Sequence, residues 1–154
     1  MQLRELLRPE LIKVPLEAET REEAITELID LLVQHHEVPM ARRHSIVEEF
    51  RAHSHGGGTA LYRGLAMPHV DSDHVEDFIC ALGISHEGVP FGGLDDKPAK
   101  VILLALAPKK SLAAEIETLA ELERELDRHL LGQLTEARSG QDVFNLLKGV
   151  SASA

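Results

Sequence analysis

Residues 101–107 read Val-Ile-Leu-Leu-Ala-Leu-Ala, an unbroken apolar run of strand length that Pro108 closes. Side chains alternate between the two faces of a strand, so a run with no polar interruption needs cover on both sides. Helical patterns lie before and after this central region. Together they indicate a layered α/β domain built on one sheet. The 154 residues suit one domain, and 44 % hydrophobic content is enough to fill a core.

The flanking patterns are specific enough to place elements. Leu11–Val14 reads as a first short strand. Thr20-Arg21-Glu22-Glu23 has the form of a capping box, with Thr20 accepting from the amide of Glu23 and Glu23 reaching back. The helix that follows carries Ala24, Ile25, Leu28, Ile29, Leu31, Leu32 and Val33, and fades near His35-His36 before Pro39. A second helix over 41–51 buries Ile46, Val47 and Phe50. Phe78–Ser85 reads as a buried strand, Glu87–Phe91 as a turn with a brief extended piece, and Asp95–Pro98 as another turn. After Ser111 a helical stripe runs through Leu112, Ile116, Leu119, Leu122 and Leu126, with a break near Asp127. Ser139–Asp142 caps a last helix bearing Val143, Phe144, Leu146 and Leu147, and residues 151–154 form a frayed tail. The pattern leaves strand order open.

Several function classes conflict with the composition. A formal net charge of −10 disfavours binding to nucleic acid or to an anionic membrane. With 3 % aromatic residues and no Trp, base stacking has little to work with. One cysteine, Cys80, excludes an intrachain disulfide and reads as a buried small side chain. The charged opening MQLRELLRPE is no signal peptide and no stretch reads as a membrane span, so a cytoplasmic location is expected.

Nine histidines are the chemical clue, and four of them (His53, His55, His69, His74) fall in the glycine-rich region around Gly56-Gly57-Gly58. Neutral imidazole is both a nucleophile near pH 7 and a transition-metal ligand. The other five, His35, His36, His44, His86 and His129, read as surface residues. A metal site would have to use those four histidines with Asp71, Asp73, Glu76 or Asp77, and no high-specificity ligand spacing is present. No metal or other cofactor is therefore expected. The glycine run lacks the Lys-Ser/Thr ending of a P-loop. Met67 precedes proline and should be extended, which puts His69 at a strand end or loop edge.

The segment Thr59-Ala-Leu-Tyr-Arg-Gly-Leu-Ala-Met-Pro-His69 resembles the active-site signature of the fructose/mannitol-type enzyme IIA domains of the phosphoenolpyruvate-dependent phosphotransferase system (PTS), a group that includes the nitrogen-regulatory IIA proteins. Val89-Pro90-Phe91, Asp95–Pro98, the strand ending Ala107-Pro108, Leu119-Ala120 and Ala137-Arg138-Ser139 extend the likeness over nearly the whole chain. The resemblance implies a single α/β domain over residues 1–150, with a central mixed β-sheet flanked by helices. It implies that His69 accepts a phosphoryl group from an HPr-like phosphohistidine carrier and passes it to a IIB domain or uses it toward a regulatory target. Thr59 and backbone amides near Gly64 would bind phosphoryl oxygens, while Pro68 stiffens the ledge under His69. A homodimer is compatible with the Leu-rich helix faces.

Two departures from the family pattern bear on this expectation. The usual Arg-Glu pair before the Thr is here Arg51-Ala52, with two extra residues before Thr59, and the usual second histidine is replaced by Glu115. A carboxylate beside His69 favours imidazolium and repels a phosphoryl dianion. A unit-charge pair about 4 Å apart interacts by about 4 kcal/mol at an effective dielectric near 20. Either Glu115 points away, or Arg51, Arg63, His53 or His55 offsets its charge, or the domain binds its partners with impaired phosphotransfer.

Overall fold

The apolar run forms the centre of the sheet. In the computed structural model, which describes residues 2–53, 63–91, 97–109 and 112–152, it becomes β5 (Ala99–Pro108). Leu103 and Leu104 are neighbours in sequence, point to opposite faces, and are both fully buried. Both faces of β5 are therefore covered, as the lack of polar alternation requires.

The other strands are β1 (Ile12–Lys13), β2 (Leu65–Ala66), β3 (His69–Ser72) and β4 (Ile79–Val89). β4 pairs antiparallel with β5, Leu82 opposite Leu103, and β1 runs parallel to β4 on its outer side. β2 and β3 both lie parallel to the other edge of β5, giving a mixed five-stranded sheet.

Among the described residues, six helices flank the sheet. α1 (Leu3–Leu6), α2 (Arg21–Gln34) and α3 (Arg43–His53) precede most of the strands, and α4 (Leu112–Glu125), α5 (Arg128–Leu134) and α6 (Gly140–Ala152) follow them. Single 3-10 turns at Pro9–Leu11 and Met40–Arg42 lead into β1 and α3. α2 packs on β4 and α3, α3 on β3, and α6 on β1.

Local chemistry accounts for the element ends. The Thr20 hydroxyl accepts from the Glu23 amide at 3.2 Å, as expected, but the Glu23 carboxylate takes the amide of Glu19 rather than that of Thr20. The α2 chain reverses at His36, which adopts a φ of +63°. Asp127 caps α5 by accepting from Leu130 at 2.8 Å, and the Ser139 hydroxyl accepts from Asp142 at 3.1 Å at the start of α6.

Two expectations need correction. Glu87–Phe91 is not a separate turn, because β4 continues through Val89. Gly88, at φ +90°, is absorbed in an irregularity of register between Ile84 and Val89, so the strand bends without ending. Ile116 is not a core residue of α4, since it is 58 % exposed. The expected turn at Asp95 falls outside the described residues.

Candidate functional site

β2 and β3 behave as one strand with a break. Leu65 stands opposite Val101, Ala66 opposite Ile102, and His69 opposite Ala105, so the register runs unchanged through Met67-Pro68. The interruption is chemical, since Pro68 has no amide hydrogen to give to the ladder. Its carbonyl still accepts from the Ala105 amide at 3.0 Å. Pro68 is buried, and His69 is the first residue of β3.

Alternation along β3 then sorts the side chains. Val70 and Ser72 are buried, and the Ser72 hydroxyl donates to the Glu49 carboxylate of α3 at 2.7 Å. His69 and Asp71 are half-buried and emerge together on the face away from α3.

The His69 ring has a defined tautomer. Nδ1 lies 2.8 Å from the Met67 carbonyl oxygen. A carbonyl only accepts, so Nδ1 carries the proton and donates it. Nε2 has no partner among the described residues, and its lone pair is available.

Glu115 belongs to the same site. At about 100° per residue, Glu115, Leu122 and Leu126 fall within about 40° of one another around α4. Leu122 and Leu126 are buried, so Glu115 starts the inward stripe in the first turn of the helix. Burial and the Asp71 carboxylate raise its carboxyl above the ordinary carboxylate range, while His69 draws it back down. The site therefore joins one imidazole to two carboxylates.

The remaining expected residues are dispersed. Arg51, on the last turns of α3, lies 3.6 Å from Glu48 and lines hollows against α2, among them one with Arg21 and Phe50. Arg63 and Gly64 both have positive φ, +63° and +78°, forming a tight left-handed step into β2. The Gly64 carbonyl accepts from the amides of Lys100 and Val101 at 2.8 and 3.0 Å. That step precedes Leu65, itself four residues, or about 13 Å of extended chain, before His69. Arg63 lines a hollow with Ala120, Glu123 and Arg124 of α4, toward the other end of that helix from Glu115. Thr59 and His55, and the side chain of His53, lie outside the described residues. No group of three His, Cys, Asp or Glu side chains among the described residues could hold a metal ion.

Asp71 is the residue that sequence reasoning did not assign to this site. It was visible only as one of several carboxylates near His69. The available signal was spacing, because two residues apart on a strand means the same face.

The fold is that of the IIA domains. The sequence profile described as "Phosphoenolpyruvate-dependent sugar phosphotransferase system, EIIA 2" matches residues 5–150. The chain belongs to that family. It is 31 % identical over 142 residues to the PTS system fructose-specific EIIA component of Haloferax volcanii, covering 92 % of this chain and 91 % of that protein. Its structure is similar to the nitrogen regulatory protein IIA-Ntr of Neisseria meningitidis, with a TM-score of 0.82 at 23 % identity over 94 % of this chain and 98 % of that one. It is also similar to the mannitol IIA of Escherichia coli solved in complex with its phosphorylated IIB, with a TM-score of 0.76 at 25 % identity over 93 % and 97 %. No described helix is long and apolar enough to cross a membrane.

Proposed function

We propose that this domain is a phosphocarrier in which His69 Nε2 receives a phosphoryl group from an HPr-like phosphohistidine and delivers it to a IIB domain or holds it as a regulatory signal. The observation that carries the reading is the hydrogen bond from His69 Nδ1 to the Met67 carbonyl. It holds the proton on the inner nitrogen and leaves the outer one as the nucleophile. In the transfer, the Nε2 lone pair forms a bond to phosphorus as the donor's N–P bond breaks, and the donor imidazole leaves with the bonding pair. The ring gains positive charge, which the Met67 carbonyl dipole stabilises through the Nδ1–H bond. Pro68 and the continuous register with β5 hold the ring at one position, which in-line approach by a second protein demands. The mannitol IIA complex supports a IIB domain as the downstream partner.

Incubation with phosphoenolpyruvate, enzyme I and a cognate carrier should add one acid-labile phosphoryl group by intact mass. His69→Ala should show none. A wild-type chain that gains no mass with several active carriers would overturn the reading.

A second reading has its own observation, the Asp71 and Glu115 carboxylates lying near enough to His69 and to each other to act on one another's charge. Two carboxylates oppose a phosphoryl dianion, and the domain would then act chiefly by binding. Glu115→His separates the two readings. A faster phosphorylation identifies Glu115 as the brake, whereas an unchanged rate removes that explanation.

A further inference from the structure

The charges that surround Glu115 can be followed element by element. From β3 come His69 and Asp71, two residues apart and on one face of the strand, and these are the charges that act on the Glu115 carboxyl. Across the sheet the same face is neutral. Ala105 and Ala107 of β5 stand opposite His69 and Asp71, and Cys80 of β4 stands opposite Ala105 with its buried thiol pushed far upward and so kept protonated. On α4 itself, Glu117 is exposed and about 200° around the helix from Glu115. Cations on the adjoining segments are held elsewhere. Lys109, just past β5, lies 3.5 Å from Asp73, and Arg42 donates to the His74 carbonyl at 2.8 Å.

A phosphoryl group on His69 thus arrives beside two carboxylates. Glu115 heads the inward stripe of α4, which ends in buried Leu122 and Leu126. A carboxylate in such a place lowers the repulsion by binding a proton, and the protonated acid changes from acceptor to donor, with one O–H to give. Burial and Asp71 already favour the protonated form of Glu115 in the free chain. A phosphoryl dianion adds a third effect of the same sign.

We infer that Glu115 is the phosphoryl-binding acid of this site: as His69 is phosphorylated, Glu115 takes up one proton from solvent and donates its carboxyl O–H to a phosphoryl oxygen, so that acid favours the phosphorylated form. The inference rests on the phosphocarrier reading of His69. The Nε2–P bond forms, the donor's N–P bond breaks, and the solvent proton on Glu115 offsets one of the charges that the phosphoryl group brings. Ionised Glu115 opposes the transfer and protonated Glu115 assists it, so brake and donor are two protonation states of one side chain. The sign follows from linkage. The phosphorylated state binds the proton more tightly than the free state, so the equilibrium constant for phosphorylation falls as pH rises. It falls by up to about tenfold per pH unit between the free and the phosphorylated carboxyl values, and it is level below both and above both. That window opens above the ordinary carboxylate range, because the free carboxyl is already raised.

The test measures, by intact mass, the equilibrium of phosphoryl exchange between the full chain and a phosphorylated carrier from about pH 5.5 to about pH 8.5. Wild type is compared with Glu115→Gln, which offers a neutral donor at every pH, and the ratio of the two profiles cancels the titration of the carrier. The wild-type constant should fall relative to the variant by about threefold to tenfold over that range. Protonation of His69 in the free chain would bend the ratio the other way, toward less phosphorylation in acid. The second measurement is carboxyl ¹³C NMR of glutamate-labelled wild type, with the Glu115 signal assigned from the variant. That signal should move toward the protonated position when His69 is phosphorylated, by the carrier or, in a parallel sample, by phosphoramidate, which needs no partner protein. His69→Ala identifies shifts caused by other histidines. Parallel pH profiles, or a Glu115 carboxyl that stays ionised beside phosphorylated His69, overturn the inference and leave the carrier reading standing. Phosphorylation by phosphoramidate but by no carrier overturns the carrier reading, and the carboxyl signal then decides the inference alone. A His69 that takes a phosphoryl group from neither source overturns both.

Discussion

At the scale of single residues, the electrostatics around His69 make two measurable statements. The folded state holds the Glu115 carboxyl above its ordinary range, so folding favours its protonated form. The stability associated with that preference is complete below the ordinary carboxylate pKa and is lost as pH rises through the raised folded value. Glu115→Gln should therefore raise the melting temperature at pH 7 to 8, and the gain should vanish near pH 4. Because Glu115 is partly exposed, solvent screening keeps the gain under about 1 kcal/mol, or a few degrees. Melting curves of both proteins across pH check this, and a gain that grows toward acid would contradict it. Cys80 gives the second statement. It is fully buried and desolvation pushes its thiol far upward. An aromatic disulfide reagent should leave the native protein unlabelled over minutes and label one thiol per chain after unfolding.

At the scale of elements, the caps and the phase of α4 decide where side chains arrive. Asp127 starts α5 through its bond to the Leu130 amide, two residues after α4 ends at Glu125. Asp127→Ala should cost about 0.5–2 kcal/mol in urea unfolding, with little change in the denaturant slope. Ser72 ties β3 to α3 through Glu49. Ser72→Ala removes a hydrogen bond to a charged acceptor and should cost about 1.5–3 kcal/mol by the same measurement. The helical stripe after Ser111 was legible, yet its phase was misassigned at Ile116. Counting leucines alone treats Ile116 as core, whereas the angle from Leu122 and Leu126 puts Glu115 on the inward face. A charged residue at an inward position in the first turn of a helix is itself a signal of a site, and it stood in the sequence.

At the scale of the whole molecule, β5 carries the fold because every other strand is ordered by pairing to it or to its partner β4. Leu103→Ala removes a fully buried side chain at the sheet centre and should cost about 2–5 kcal/mol, which calorimetry or urea titration would read directly. A cost below about 1 kcal/mol would mean that the centre of the sheet is not packed on both faces. Amino-acid order alone determined the layered α/β class, the strand at 101–107, the helix starts at Thr20 and Ser139, and the placement of His69 just after a rigid proline. Each follows from local rules: unbroken apolar runs, capping side chains and the missing amide of Pro68. Strand order, the union of β2 and β3 along one edge of β5, and the meeting of His69, Asp71 and Glu115 were decided by the tertiary structure. Those contacts join residues tens of positions apart, and their distances depend on how the sheet is ordered and on which face each helix covers. Neither quantity is encoded in any short window of the chain.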